Sequence, residues 1–181
     1  MTDTLQSRQL VLRVRPATSG DASMLAKLAA ALFEQTFGPM NDPDDMRMYI
    51  AEAFSPSIQG EELADRDRVV WIAEDSDGTP IGYAMLRRGG TAPGVDDARS
   101  AEIQRIYADR SWHGRGVGET LMRVCIDQAR EWRRDVIWLG VWERNPRAIA
   151  FYEKTGFQRV GRQTFMLGRD VQFDLVMSRR L

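Results

Sequence analysis

The chain has 181 residues, the size of one domain, and a chain of this length buries enough surface to fold without a disulfide or metal staple. Hydrophobic residues make up 43% and charged residues 28%, a balance that excludes both an intrinsically disordered chain and a membrane-embedded one. The net charge is -1, from 25 basic and 26 acidic residues, so we expect neither nucleic acid nor a membrane as a partner.

Cysteine and histidine occur once each, which limits the disulfides, metal sites and catalytic triads that the chain can form. Cys125 cannot form an internal disulfide or a thiolate zinc cage, and its amphipathic surroundings predict a buried core thiol. His113 excludes multi-histidine metal sites and weakens a Ser/His/Asp hydrolase interpretation, so we expect no metal. No run of about 20 apolar residues and no signal-peptide pattern is present, so we expect a cytoplasmic protein.

The first third of the chain is predicted to be one strand followed by helices. Alternating apolar and charged side chains before Pro16 predict a strand over 10–15. Asp21 is placed to cap a first helix, and the sequence Asn41-Asp42-Pro43 begins a second one. A third helix is predicted over 59–65. The apolar positions that define the first helix are Met24, Leu25, Leu28, Ala29, Leu32 and Phe33.

From residue 69 onward the pattern is mainly that of strands. Two strands over 69–74 and 81–86 flank an Asp-Gly pair and predict a hairpin, and a loop rich in Gly, Pro, Ala and Asp follows over 89–99. The remaining predicted elements are a strand over 101–108, a helix over 118–134, a strand over 136–142, a helix over 146–155, and strands over 157–165 and 171–178. This order predicts a mixed α/β (α+β) domain over 8–181 after a short extension over 1–7.

A glycine-rich segment, residues 112–118, links a predicted strand to a predicted helix. Such a turn leaves backbone N–H groups unpaired at the positive end of the helix dipole, which makes an anion site. The phosphate loop of nucleotide hydrolases requires a lysine that is absent here. The dinucleotide fingerprint, begun at Gly114, places Glu119 where a third small residue is required. A nucleotide-binding module therefore stays only as an alternative.

Three stretches of the chain resemble one family. They are residues 102–108 (EIQRIYA), 113–118 (HGRGVG) and 145–157 (NPRAIAFYEKTGF), and they resemble the GNAT family of acetyl-CoA-dependent N-acetyltransferases. The family loop is Gln or Arg, two residues, Gly, one residue, then Gly or Ala; here His113 stands first, and Gly116 and Gly118 match. The resemblance implies the GNAT acyl-CoA N-acyltransferase fold, with a mixed, mostly antiparallel sheet of about seven strands and flanking helices.

The resemblance also implies acetyl-CoA as co-substrate and a set of residues that bind it. Amides around 115–119 are expected to bind the diphosphate, with a hydrogen bond from His113 nearby, and main-chain groups over 106–108 to pair with the pantetheine arm like an added strand. The Ala108 N–H is the expected oxyanion donor, where the strand diverges from its neighbour. The complete cofactor-binding set is Ile106, Tyr107, Ala108, His113, Gly114, Arg115, Gly116, Val117, Gly118, Glu119, Asn145 and Tyr152.

Asn145 and Tyr152 are predicted to point from one side of a helix, because seven residues advance about 700 degrees and ~10 Å. Asn145 also suits a helix cap, and Tyr152 also suits a core aromatic. A phenol with a pKa near 10 is protonated at neutral pH and can give its proton to a departing thiolate. We therefore expect Tyr152 to be the general acid.

A primary amine with a pKa near 10.4 costs about 4–5 kcal/mol to deprotonate at neutral pH, so a base is needed. Regular strand alternation places Glu102 on one face with Gln104, Ile106 and Ala108. Glu102 is thus the predicted base and a contact of the substrate; the alternative is an ion pair with an arginine.

The resemblance implies that the first two helices cover the acceptor side. Aromatic and acidic residues there suit a small cationic amine, and Phe33, Phe37 and Tyr49 are the predicted contacts. Residues 165–177, with 139–143, resemble the branch that contains bacterial polyamine acetyltransferases. A polyamine, another small cationic amine and a protein amino group stay open, as does a non-catalytic acyl-CoA-binding regulator. Apolar positions such as Phe165 and Phe173 leave a homodimer open.

Overall fold

The computed structural model describes residues 12–95 and 98–181. Its strands are β1 (Arg13–Pro16), β2 (Arg68–Glu74), β3 (Pro80–Arg88), β4 (Ser100–Ala108), β5 (Val136–Trp142), β6 (Gln158–Leu167) and β7 (Asp170–Arg180). Its helices are α1 (Ala22–Phe37), α2 (Pro43–Ala53), α3 (Pro56–Ala64), α4 (Val117–Glu131) and α5 (Pro146–Lys154). The predicted order of elements is confirmed; the extension over 1–7 and the first residues of the predicted first strand lie outside the described residues.

Helix caps explain where several helices begin. The Asp42 carboxylate accepts hydrogen bonds from the Asp44 and Asp45 N–H groups, as the Asn-Asp-Pro pattern predicts. Ser55 caps α3 by accepting from the Ile58 N–H, so this helix begins at Pro56 rather than at the predicted residue 59. Asp21 precedes α1 but does not cap it, because its carboxylate binds Arg15 and Thr18 instead.

The seven strands form one sheet in the order β1-β2-β3-β4-β5-β7-β6. Every neighbouring pair is antiparallel except β4 and β5, which are parallel and are connected through α4. A mixed, mostly antiparallel sheet of seven strands is therefore confirmed. The hairpin of β6 and β7 places β7, not β6, next to β5.

Strands β4 and β5 separate after a short paired stretch. Their pairing covers only Ser100–Glu102 on β4 and Val136–Trp138 on β5. The remaining residues of the two strands leave open edges that face each other. The predicted divergence of β4 from its neighbour is confirmed, and it opens a gap in the middle of the sheet.

A bulge in β4 corrects the predicted strand faces. Met85 pairs with Arg105 while Leu86 pairs with Ile103, so Gln104 is an extra residue in the ladder. Ala101 and Ile103 before the bulge, and Ile106 and Ala108 after it, all pack into the core under α4. Glu102 therefore lies on the opposite face from Ile106 and Ala108, because one extra residue reverses the alternation.

Helices cover both faces of the sheet, so there are two main cores. Side chains of α4 and α5 pack against one face, and this core includes Cys125, which is fully buried as predicted. Side chains of α1 and α2 pack against the other face together with Tyr83, Tyr107 and Leu167. The gap between β4 and β5 joins the two cores.

The turn between β6 and β7 is held against α2. The buried Asp45 carboxylate accepts hydrogen bonds from the Arg169 N–H at 2.9 Å and from its Nε at 3.0 Å. Gly168 has φ 57°, and a Cβ there would lie 2.6 Å from the Asp45 Cα, so only glycine fits. This contact places the β6–β7 hairpin beside α2, where the Phe165 ring lies 5.2 Å from the Tyr49 ring.

Candidate active site

A cavity of about 420 Å³ lies at the gap between β4 and β5. On one side it is lined by the glycine loop and by residues of α4 and α5, and on the other by residues of α1, α2 and the β6–β7 hairpin. A volume of this size suits a small-molecule site. We call the first side the loop side and the second the helix side.

The glycine loop presents backbone donors on the loop side. Gly114 and Gly116 adopt left-handed conformations, with φ of 75° and 85°, and a Cβ on either would meet no atom within 4 Å. Helix α4 begins at Val117 without a side-chain cap, and the first amide to bond back is that of Thr120, to the Gly116 carbonyl. Over the described residues, the amides of 117–119 have no backbone acceptor. The turn is thus open space bordered by free donors.

The open edge of β4 presents the Ala108 amide to the cavity. The next amide, of Asp109, donates to the Ile81 carbonyl on β3 at 2.8 Å. Successive N–H groups of a strand point to opposite edges, so the Ala108 N–H points away from β3 and toward the gap. Ala108 lines the cavity.

His113 connects the glycine loop to β4. Its Nε2 lies 3.0 Å from the Ala108 carbonyl oxygen, and its Nδ1 contacts the Arg147 guanidinium. Because a guanidinium only donates, Nδ1 accepts and Nε2 donates to the carbonyl. Burial and the Arg147 charge lower the pKa of His113, so the ring is neutral at pH 7. Both ring nitrogens thus have partners, and the expected hydrogen bond of His113 near the phosphates stays a prediction.

Helix α5 brings Asn145 and Tyr152 to the same cavity. The Asn145 Oδ1 accepts a hydrogen bond from the Ala148 N–H at 3.1 Å, which confirms the helix cap. Tyr152 is only 8% exposed, and its hydroxyl has no hydrogen-bond partner among residues 12–95 and 98–181. Burial raises the pKa of the Tyr152 phenol well above 10.

Glu102 does not line the cavity. Its carboxylate forms an ion pair with Arg87 at 2.7 Å, the alternative that the sequence left open. Burial raises the pKa of the Glu102 carboxyl, and the Arg87 charge opposes this rise. The bulge turns Glu102 to the face opposite Ile106 and Ala108. Glu102 also lies in the stretch of β4 that still pairs with β5, before the open edge begins.

The helix side is aromatic, and the three predicted acceptor contacts, Phe33, Phe37 and Tyr49, all line it. The Phe33 ring stacks on Tyr49 at 4.7 Å. Phe165, on the edge strand β6, also lines the cavity. The Phe173 ring is covered by the Arg162 guanidinium at 3.7 Å.

The carboxylates of the first two helices do not reach this side of the cavity. Asp42 caps α2, Asp44 pairs with the exposed Arg47, and Asp45 binds Arg169. The carboxylate that does line the helix side is Asp174 of β7, which sequence reasoning missed. Its signal is a polar residue between the apolar neighbours Phe173 and Leu175, but this alternation alone does not show which strand faces the cavity.

Comparison with known proteins places this geometry in a family. The model of the acetyltransferase (GNAT) family matches residues 28–157. An uncharacterized N-acetyltransferase of Lactobacillus delbrueckii subsp. lactis is 30% identical over 170 residues, which cover 94% of this chain and 98% of that protein. This chain belongs to the GNAT family. An uncharacterized N-acetyltransferase of Mycobacterium tuberculosis is 36% identical to this GNAT protein over 161 residues, covering 89% of this chain and 98% of the relative.

The GNAT fold is also seen in solved structures. The crystal structure of the PaiA N-acetyltransferase from Thermoplasma acidophilum in complex with coenzyme A superposes with a TM-score of 0.76 at 19% identity. The match covers 94% of this chain and 99% of that one. The family model and the relatives named N-acetyltransferases identify this GNAT protein as an acetyl-CoA-dependent N-acetyltransferase. Among its described helices, none is long and apolar enough to cross a bilayer.

Proposed function

We propose that this GNAT enzyme transfers the acetyl group of acetyl-CoA directly to a primary amine while both substrates are bound. One observation carries the proposal: the gap between β4 and β5 joins two sides of one cavity, and two free donors, the Ala108 N–H and the Tyr152 hydroxyl, border it. Acyl transfer from a thioester needs a hydrogen bond to the developing oxyanion and a proton for the departing sulfur, and the two donors can supply these. The aromatic helix side has room for an amine.

The residues of the loop side fit coenzyme A. The free amides of 117–119 at the start of α4, beside the open space at Gly114 and Gly116, suit a diphosphate. The open edge of β4 over 106–108 suits an extended amide-containing arm, which would add to the sheet like a strand. Asn145 borders the same cavity, although its Oδ1 is already used in the helix cap.

Each donor has a distinct task in this proposal. When bound, acetyl-CoA supplies a thioester whose C–S bond breaks as the C–N bond to the amine forms. The Ala108 N–H would donate to the carbonyl oxygen as negative charge develops on it. The Tyr152 hydroxyl would give its proton to the departing sulfur. His113 holds the Ala108 carbonyl and so keeps this end of β4 in place.

Direct attack is favoured over a covalent acetyl-enzyme. The one thiol, Cys125, has no exposed surface, and burial raises the pKa of its thiol, so the nucleophilic thiolate is disfavoured. It does not line the cavity.

Replacing Glu102 with glutamine is expected to leave kcat/KM and its pH dependence within about threefold of wild type, because a carboxylate that is paired with an arginine and does not border the cavity is not placed to take the proton of the amine. Its carboxylate pairs with Arg87 and does not border the cavity. Steady-state rates between pH 5.5 and 9 check this. If wild-type kcat/KM decreased at acid pH and this decrease were absent in the variant, Glu102 would be the base after all.

The proposed function is tested by measuring acetyl-CoA binding by calorimetry and the release of free CoA with three acceptors: a small monoamine, spermidine, and a short peptide with a free N-terminus. We expect binding of acetyl-CoA and amine-dependent release of CoA. Binding without release for any acceptor would favour the non-catalytic regulator. Release with the peptide alone would indicate a protein acetyltransferase.

A further inference from the structure

We propose that Asp174 binds the acceptor's ammonium group and takes its proton, and that the acceptor is an amine with one positive charge and an apolar body. This inference rests on the proposed acetyl transfer and specifies the amine side of the same site.

Asp174 lies on the cavity face of the sheet, beside the gap. It pairs across β7 with Trp142 of β5 and with Gln163 of β6, so the three side chains share one face. A Cβ on Gly140 would lie 3.1 Å from the Asp174 Oδ2 and 2.9 Å from the Gln163 Nε2. The missing side chain of Gly140 thus leaves the space that the Asp174 carboxylate borders, next to the gap between β4 and β5.

The Asp174 carboxylate makes no hydrogen bond or ion pair with any residue of 12–95 or 98–181. The other charged groups of the cavity wall are paired or lie on the loop side. Arg105 pairs with Glu62 at 2.6 Å, while Glu119 of α4 and Arg147 of α5, which contacts His113, lie on the loop side. A half-buried carboxylate without a partner carries a desolvation cost that a bound cation would offset. The helix side therefore presents one unneutralised negative charge.

The groups around Asp174 do not supply a positive charge. Tyr49 faces it from α2, Trp142 from β5, and Gln163 from β6, while Glu143 follows β5 and pairs with Arg162 at 2.8 Å. Burial, with the negative charge of Glu143, raises the pKa of Asp174 to about 6. Asp174 is thus ionised at pH 7 to 8, and at that pH it is a stronger proton acceptor than an ordinary aspartate.

The walls around this carboxylate are apolar and aromatic. Phe33, Tyr49, Trp142 and Phe165 line the helix side, and ring faces suit both an ammonium and a hydrocarbon body. A polyamine would bring further charges next to these rings with no carboxylate to pair with, and burying an unpaired charge is costly. The geometry therefore favours a monoamine over the polyamine suggested by the resemblance of residues 165–177.

Asp174 and Tyr152 together account for every proton that moves in the reaction. The ammonium gives one proton to Asp174, and the freed lone pair forms the C–N bond as the C–S bond breaks. Tyr152 protonates the sulfur and regains a proton from the nitrogen, which carries one too many after attack. Asp174 then releases its proton to water, so the products are an amide, a thiol and one proton.

The test compares wild type, Asp174→Asn and a matched control, Glu143→Gln, with 2-phenylethylamine and spermidine as acceptors. Asp174→Asn is expected to lower kcat/KM for 2-phenylethylamine about 30-fold or more, the scale of a lost charged hydrogen bond, with acetyl-CoA affinity within about twofold. In wild type, kcat/KM should decrease at pH values below about 6, since the ionised carboxylate is the active form. This decrease should be absent in Asp174→Asn. Wild type should prefer 2-phenylethylamine to spermidine at least about tenfold.

Glu143→Gln keeps Asp174 and removes the negative charge that raises its pKa, so its acid limb should move to lower pH while activity at pH 8 is retained. This shift tests the proposal even if Asp174→Asn does not fold. Three results would each overturn the inference. They are an acid decrease of kcat/KM that is unchanged in both variants, an Asp174→Asn activity within about threefold of wild type, and a preference for spermidine.

The proposed function can fail separately. If wild type binds acetyl-CoA but releases no CoA with any amine, the proposed acetyl transfer is wrong. Calorimetric titration of 2-phenylethylamine into wild type and Asp174→Asn, both saturated with CoA, then decides whether Asp174 binds an amine: equal affinities or no binding would overturn that as well.

Discussion

Replacing Tyr152 with phenylalanine is expected to lower kcat about 100-fold or more while leaving the Kd for acetyl-CoA within about twofold. The ring stays, so the packing against Phe151 and Phe157 is preserved, and only the hydroxyl of this cavity-lining residue is lost. Steady-state kinetics and calorimetry separate the two quantities. A loss in kcat without a loss in affinity is the pattern of a group that acts on the reacting atoms.

Burial sets how this acid behaves with pH. Because the phenol has a pKa raised well above 10, it stays protonated over the whole range from pH 6 to 10, and it contributes no alkaline limb there. The same apolar surroundings raise the basicity of a thiolate formed beside it, which favours transfer of the proton to sulfur. An alkaline limb below pH 10 that disappears in Tyr152→Phe would contradict this account.

Tyr83 offers a matched control. It is a fully buried tyrosine on β3 that does not line the cavity, and its hydroxyl has no partner among the described residues. Tyr83→Phe removes the same atom and is expected to change kcat less than about twofold, since an unsatisfied buried hydroxyl contributes nothing to lose. If Tyr152→Phe matched this control in kcat, the general-acid role of Tyr152 would be wrong.

Replacing Glu62 with glutamine is expected to destabilise the protein by about 3–5 kcal/mol, because it leaves the Arg105 charge buried without its partner. The Glu62 and Arg105 side chains are only 12% and 14% exposed, and their charged atoms lie 2.6 Å apart. For a chain of this size the loss corresponds to a melting temperature lower by about 10 °C or more. Thermal denaturation of the purified variant measures it.

Two further variants decide whether the cause is the unpaired charge. Asp44→Asn breaks the pair with Arg47, in which both side chains are more than 60% exposed, and is expected to cost less than about 1 kcal/mol. Adding Arg105→Met to Glu62→Gln removes the stranded cation and should restore much of the lost stability. A Glu62→Gln variant as stable as Asp44→Asn, or one that the second substitution does not rescue, would show that this pair is not structurally important.

The parts of the site that depend on neighbouring residues in the chain could be predicted. The two left-handed glycines and the uncapped start of α4 follow from one short segment. Asn145 and Tyr152 reach the same cavity because helix geometry relates positions seven residues apart. Phe33, Phe37 and Tyr49 also line the cavity. They were chosen because the first two helices cover the acceptor side in the family that the sequence resembles, and their contact with an acceptor stays a prediction.

The parts of the site that depend on strand register could not be predicted from the sequence. Regular alternation placed Glu102 with Ala108, and one extra residue, Gln104, reversed that relation and left Glu102 paired with Arg87. Asp174 is a similar case, because its place beside the gap depends on β7 lying between β5 and β6. His113 was expected at the phosphates, and its bond to Ala108 depends on how the loop folds back on β4.

The amino-acid sequence by itself determined the order of strands and helices, the open glycine turn before α4, and the pair of side chains on α5, because these follow from contacts between residues close in the chain. Only the tertiary structure decided which carboxylate meets the cavity and which pairs with an arginine. The physical reason is that a single bulge, or the insertion of one strand between two others, moves a side chain to the other face of a sheet or to another neighbour at little local cost.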